Sequence, residues 1–181
     1  MKKLFLLFVL MVLVLIGAAA QSAAEISFTY ARQSGSASNQ FAVWIEDTNG
    51  QLIKTLYVTK WTASNGYKTR PTSIPLWIKK TNRAEMTVSQ VDAVSGATPR
   101  AGTLSYTWDG TNSRGAAVPA GDYILVLEGT LRWENQVYYR APIALGKGSA
   151  SAKVSVEYVS GERDTTAERA MFSDVKVRTL R

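Results

Sequence analysis

The 181-residue chain carries 21 Lys and Arg against 14 Asp and Glu, a formal net charge of +7, with no His and no Cys. Without Cys there are no disulfides, thiolate nucleophiles or iron–sulfur ligands, and without His the ordinary general base near neutral pH and the usual ligands of zinc, copper and haem are missing. The basic residues are spread along the sequence (Lys54, Lys60, Lys68, Arg70, Lys79 and on to Arg178) with no dense run that would track a phosphate backbone, so no nucleic-acid partner is expected.

Lys2 and Lys3 precede an unbroken apolar run from Leu4 to Ile16, followed by Gly17-Ala18-Ala19-Ala20. This is a secretory signal pattern, with small residues at Ala18 and Ala20 placing cleavage before Gln21 and Ser22 with Ala24 offering a second position. The apolar run is shorter than the roughly 20 residues that cross a bilayer. Residues 1–20 are therefore read as a leader, and 21–181 as one soluble domain in the periplasm or otherwise outside the cytoplasm, with no membrane span in the mature chain. Removing Lys2 and Lys3 leaves 19 basic residues against 14 acidic, a net charge of +5.

Strand signals dominate the rest. A first strand is expected over 25–32. Phe41, Val43 and Ile45 alternate with Ala42, Trp44 and Glu46, and Asp47-Thr48-Asn49-Gly50 then gives way to Leu52, Ile53, Leu56, Tyr57 and Val58. That spacing predicts a hairpin of 40–48 with 51–60, its Asn-Gly pair suiting a type I′ turn with positive φ at both central positions. Ser73 to Thr81 predicts a short helical turn. Further strands are expected at 102–108, 121–131, 136–144 and 173–179. Ala152 to Val159 predicts one strand with Val154, Val156 and Tyr158 on a buried face and Lys153, Ser155 and Glu157 on a wet one. Gly161 to Arg169 is charged and loop-like. Short strands separated by Gly, Asn, Ser and Pro clusters predict an all-β, immunoglobulin-like antiparallel β-sandwich following the signal peptide.

From Trp108 to Tyr123, Asp109-Gly110 and Arg114-Gly115 close a polar loop, and Pro119 with Gly121 turns the chain into an apolar strand, so that Trp108 and Tyr123 are expected to face each other in the core. Thr111, Ser113 and Ala120 stand where a calcium loop needs acid or amide ligands, which argues against calcium. The Trp-Asp-Gly start and Pro-x-Gly-x-Tyr finish resemble the immunoglobulin-like domain of flagellar hook-capping proteins. That likeness implies a fold, not an activity.

The run Val91-Asp92-Ala93-Val94-Ser95-Gly96-Ala97-Thr98-Pro99-Arg100 carries the chemistry. A threonine hydroxyl can attack phosphorus once a base takes its proton, and Gly96 and Ala97 leave the backbone uncluttered enough to enter another protein's active site. Asp92-x-x-Ser95-Gly96-Ala97-Thr98 resembles the covalent flavinylation site of membrane redox complexes such as the sodium-pumping NADH:quinone reductase. The resemblance implies that Thr98 carries FMN through a phosphoester bond, that Asp92, Ser95, Gly96 and Ala97 complete the site, and that an exported flavin transferase using FAD and magnesium attaches it. A membrane redox protein is the implied partner, and the flavin ring would bring the redox chemistry itself.

The same residues also make a plain loop, with a turn at Ser95-Gly96 and Thr98-Pro99 leading into the next strand. The Ala-Val-Trp-Ile-Glu-Asp strand at Ala42 to Asp47, Pro75-Leu76-Trp77, the Asp92 to Arg100 run and the Trp108 to Tyr123 segment together resemble an uncharacterised family of predicted periplasmic proteins. Three readings follow: an extracytoplasmic electron carrier, a non-catalytic structural or protein-binding sandwich, and a hydrolase built on Asp92, Asp109 and Glu128. The hydrolase ranks last, so the chain is not expected to be an enzyme. Most of Trp44, Trp61, Trp77, Trp108 and Trp133 are expected in the core, with one or two, Trp61 or Trp77, near the motif. A carrier needs Thr98 within reach of solvent. A structural loop would tolerate a buried hydroxyl bonded to backbone.

Overall fold

The computed structural model describes residues 23–33, 39–161 and 171–180, and of Trp133 the backbone alone. The leader at 1–20 and positions 162–169 of the charged stretch lie outside the described residues. Ten strands form two sheets. One has six strands in the order β4 (Ser95–Gly96), β3 (Leu52–Thr59), β2 (Gln40–Asp47), β6 (Gly121–Thr130), β7 (Gln136–Leu145) and β9 (Ser155–Val159). The other has four, β5 (Gly102–Trp108), β1 (Ala24–Tyr30), β10 (Phe172–Thr179) and β8 (Ala150–Ala152). All pairings between these strands are antiparallel except β3 with β4. The architecture is the all-β sandwich expected from the sequence.

Alternation builds the core between the sheets. Ile26, Phe28 and Tyr30 of β1 face Phe41, Val43 and Ile45 of β2 and Leu125 and Leu127 of β6, and all are buried. Phe28, Phe41, Tyr57, Tyr106 and Phe172 pack ring to ring, with centroids from 4.9 to 6.3 Å apart. Trp108 meets Tyr123 edge to face at 5.1 Å, as the turn sequence implied, and its indole N–H donates to the Thr111 carbonyl. Strands β1 and β10 meet at this end of the sandwich: Ala24 pairs with both Trp108 and Thr179, and the Leu180 N–H donates to Ala23.

Strand β2 is buried on both faces, because a third layer that the strand-rich reading does not contain covers the outside of the six-stranded sheet. This layer begins after β3 with a π-helical segment, Thr62–Gly66, continuing as one turn, α1 (Tyr67–Thr69). It proceeds through α2 (Pro75–Thr81), a 3₁₀ turn (Arg83–Glu85) and α3 (Val88–Val94). Trp44, Ala42 and Val126 from the sheet bury against Ala63, Ile74, Trp77 and Val91 to form a second core.

Helix α2 occupies the segment read as a helical turn. Pro75 supplies its first turn. The Leu76 and Trp77 N–H groups donate to the fully buried Glu128 carboxylate, and Ile74 N–H donates to Thr130. Helix α3 starts in a capping box: Thr87 Oγ1 accepts from Gln90 N–H, and the Gln90 side chain accepts from Thr87 N–H.

Two local expectations are corrected. The β2–β3 turn has negative φ at Thr48 and Asn49, and only Gly50 is positive, at 76°. Gly50 N–H donates to Asp47 carbonyl, and the Asp47 side chain accepts from Asn49 and Gln51 N–H. This is a type I turn with a glycine bulge; the Asp47 carboxylate stabilises it over type I′. The segment read as one strand over 152–159 breaks at Lys153-Val154, leaving β8 in one sheet and β9 in the other. Val156 lies on the edge strand and is 51 % exposed, whereas Val154 and Tyr158 do pack against the core.

Candidate functional site

The Asp92 to Arg100 run spans three kinds of structure. Asp92 stands on α3 and forms an ion pair with Lys60 at 3.1 Å; both side chains are more than half exposed, so the pair contributes little to stability. Val91, one residue back, is the buried anchor of α3. At Ser95 the chain leaves the helix in extended conformation and pairs with Val58, and Gly96 pairs with Thr59. The Ser95 hydroxyl oxygen is enclosed without a hydrogen-bond partner.

Tyr57 shapes this edge. Its ring lies where a side chain on Gly96 would begin: a Cβ there would sit 2.8 Å from the Tyr57 ring. Tyr57 Oη donates to the Ala97 carbonyl at 2.7 Å. Burial, followed by the nearby Tyr30, pushes the phenol up to about 12, so it remains a donor at neutral pH. The motif's backbone is thus held from below by an aromatic ring and a fixed hydrogen bond. Ala97 is exposed and Thr98 half-buried in an irregular segment, and among the described residues the Thr98 hydroxyl has no hydrogen-bond partner.

The proposed flavin residues therefore sit contiguously at one edge: Asp92 on the outer helix, Ser95 and Gly96 in the ladder, Ala97 and Thr98 beyond it. The donor set suits a phosphoester-linked group, because Thr98 offers a hydroxyl that no other group occupies. Two residues that sequence reasoning did not attach to the motif join it, Lys60 through its ion pair and Tyr57 through its ring. Their signal is tertiary and depends on the β3–β4 pairing.

Tryptophans divide sharply. Trp44, Trp77 and Trp108 are fully buried, and Trp77, which the sequence left near the motif, donates its indole N–H to Thr55 under α2. Trp61 is 50 % exposed, the largest exposed apolar side chain among the described residues. The indole lies against Gly66, where a Cβ would be 2.5 Å from the ring.

The three acids of the hydrolase reading have separate partners. Asp109 is bound by Lys54 at 2.8 Å and by Thr111; although some burial opposes it, these bonds hold its carboxyl below the usual range. Glu128 caps α2 from the sheet, and Asp92 faces Lys60. Among the described residues, no group of three or more acids could hold a metal ion, and no helix is long and apolar enough to cross a membrane.

The basic residues are less scattered than their sequence positions suggest. The segment 60–100 holds Lys60, Lys68, Arg70, Lys79, Lys80, Arg83 and Arg100 against only Glu85 and Asp92. Arg83 is buried, donating to Ala63 and Ser64 carbonyls, and Lys80 pairs with Glu46. Lys60, Lys68, Lys79 and Arg100 remain exposed, so the layer bearing the motif presents a positive surface.

No curated protein and no solved structure matches the chain. A family model described as "predicted periplasmic protein (DUF2271)" matches residues 22–164, a stretch containing the whole motif and every strand except β10. The chain belongs to this family of periplasmic proteins.

Proposed function

We propose that the protein is a periplasmic electron carrier that holds FMN through a phosphoester on Thr98. The supporting observation is the Thr98 hydroxyl itself: partly exposed, without a hydrogen-bond partner, and on a segment whose backbone is fixed by Tyr57. A hydroxyl that no protein group engages is available to an incoming phosphorus.

Attachment forms one bond and breaks one. Thr98 Oγ bonds to the FMN phosphorus of FAD, the pyrophosphate linkage breaks, AMP leaves, and a base of the exported transferase takes the hydroxyl proton while magnesium neutralises the pyrophosphate. Gly96 and Ala97 keep the approach to Thr98 narrow, and Tyr57 keeps the segment from collapsing onto the sheet. Once attached, the flavin supplies reversible electron transfer, which requires no His, Cys or metal from the chain. The chain's own role is to hold and orient the group.

Export of the full-length chain from cells expressing a flavin transferase, followed by intact mass and in-gel flavin fluorescence, tests this. The expected result is an FMN increment that Thr98→Ala abolishes. An unmodified mass beside a modified control substrate overturns the reading and leaves a structural or partner-binding sandwich.

A further inference from the structure

We propose that Lys60 and Trp61 form the seat of the flavin, with the indole carrying the isoalloxazine ring and the ammonium facing the phosphodiester. This rests on the carrier reading and deepens it. The register of the sheet points there. Strand β3 pairs with β4 in parallel, Val58 with Ser95 and Thr59 with Gly96. Two parallel strands run off the same end of a sheet, so the residues after Thr59 and those after Gly96 leave it at the same end. Lys60 and Trp61 turn there into the helical layer, while Ala97 and Thr98 continue as an irregular segment, and Lys60 reaches back to Asp92 of the motif. Paired strands lie about 4.8 Å apart and two residues span at most about 7 Å.

Trp61 has the properties of a ring seat. Its indole rests against the backbone of Gly66, where a Cβ would be 2.5 Å from the ring, and half of its surface is open to solvent. The other described tryptophans are fully buried, so exposure here is particular to this position. A rigid, half-open indole stacks on a planar aromatic group at little entropic cost. Lys60 supplies the charge. Its ion pair with Asp92 is solvent-exposed and cheap to exchange. Esterified Thr98 would carry a phosphodiester anion beside it, a stronger partner for an ammonium than a solvated carboxylate. Tyr57 and Tyr106, which pack against the core between the sheets, are engaged with each other at 4.9 Å.

The test compares flavin-bearing wild type, Trp61→Ala, Trp61→Phe and Lys60→Gln, each restricted to the fraction that intact mass shows to carry FMN. Stacking on indole quenches flavin emission, and a ring held against an asymmetric surface gives visible circular dichroism. In wild type we expect quenched emission and a flavin dichroic band. In Trp61→Ala the emission should rise to that of the unfolded protein and the band should be lost. Trp61→Phe should fall between, and Lys60→Gln should weaken the band. Unchanged emission and dichroism in flavin-bearing Trp61→Ala overturn the seat and leave the carrier standing. Absence of FMN from wild type, beside a modified control, overturns both.

Discussion

Replacing Glu128 with Gln removes a charge from the seam between the six-stranded sheet and the helical layer, and its effect can be worked out from the structure. The carboxylate is fully buried and accepts N–H bonds from Leu76 at 2.9 Å and Trp77 at 2.8 Å. Burial pushes its pKa from 4.5 up to about 7, against the opposing pull of those two N–H groups, Tyr138 and Arg140. A folded-state value above the unfolded one means that the folded chain retains a proton that the unfolded chain has released. The resulting stabilisation is complete below the unfolded pKa, is lost as pH rises toward the folded value, and levels off above it. Across the interval from 4.5 to about 7 the loss amounts to at most about 3 kcal/mol.

Urea denaturation across that pH interval should show wild-type stability falling as pH rises. Glu128→Gln cannot ionise and should show no such slope. Its single carbonyl oxygen cannot serve both N–H groups as the carboxylate does, so the variant should also lose about 1–3 kcal/mol for an unsatisfied buried donor. A wild type whose stability is flat across the interval, or a variant that keeps the slope, would refute the reasoning.

The other expectations concern the motif and its surroundings. Gly96→Ala places a methyl 2.8 Å from the Tyr57 ring, so the ring must move and its bond to the Ala97 carbonyl weakens; thermal melts should record a loss of about 1–3 kcal/mol, and an unshifted melt would show that Tyr57 does not hold this edge. If the flavin sits on this positive surface, its reoxidation by ferricyanide should slow as salt rises while reoxidation by a cationic ruthenium ammine quickens. Lys68→Glu with Lys79→Glu should slow the ferricyanide reaction by about tenfold at low salt, and equal salt slopes for the two oxidants would count against a charged approach. The remaining tests, Thr98→Ala and Trp61→Ala, bear on attachment and seating separately.

Much of the sandwich was legible because its strands are bounded by turn chemistry. Gly102 and Trp108-Asp109-Gly110 delimit β5, and Gly121 opens β6. Of the helical layer only the turn at 73–81 was read, although two signals pointed to the rest. The run Phe41 to Ile45 is apolar on both faces, which a strand needs only when both faces are covered. Thr87-Val88-Ser89-Gln90 has the spacing of a capping box. The π-helical segment at Thr62–Gly66 carries no comparable local mark; packing against α3 and the buried Arg83 side chain hold it. The chemistry of Asp92 to Thr98 was visible as a contiguous motif. Trp61 was expected near the motif, whereas Lys60 and Tyr57 were invisible as its neighbours, because a parallel pairing between distant segments is set by tertiary packing. The exposed Val156 records the same limit: alternation gave the two faces of a strand and not its position at an edge.

The convergence of Ala23 and Leu180 sets how the sandwich can be held. Ala23 and Leu180 are hydrogen-bonded to one another beside Trp108, at one end of β5. The segment carrying Thr98 enters β5 at the other end, at Gly102, which pairs with Tyr30. A strand of this length spans roughly 20 Å. A tether joined to the sandwich through Ala23 or Leu180 would therefore grip it at the end of β5 opposite the segment that carries Thr98. Ala23 and Leu180 are equivalent points of approach to that far end.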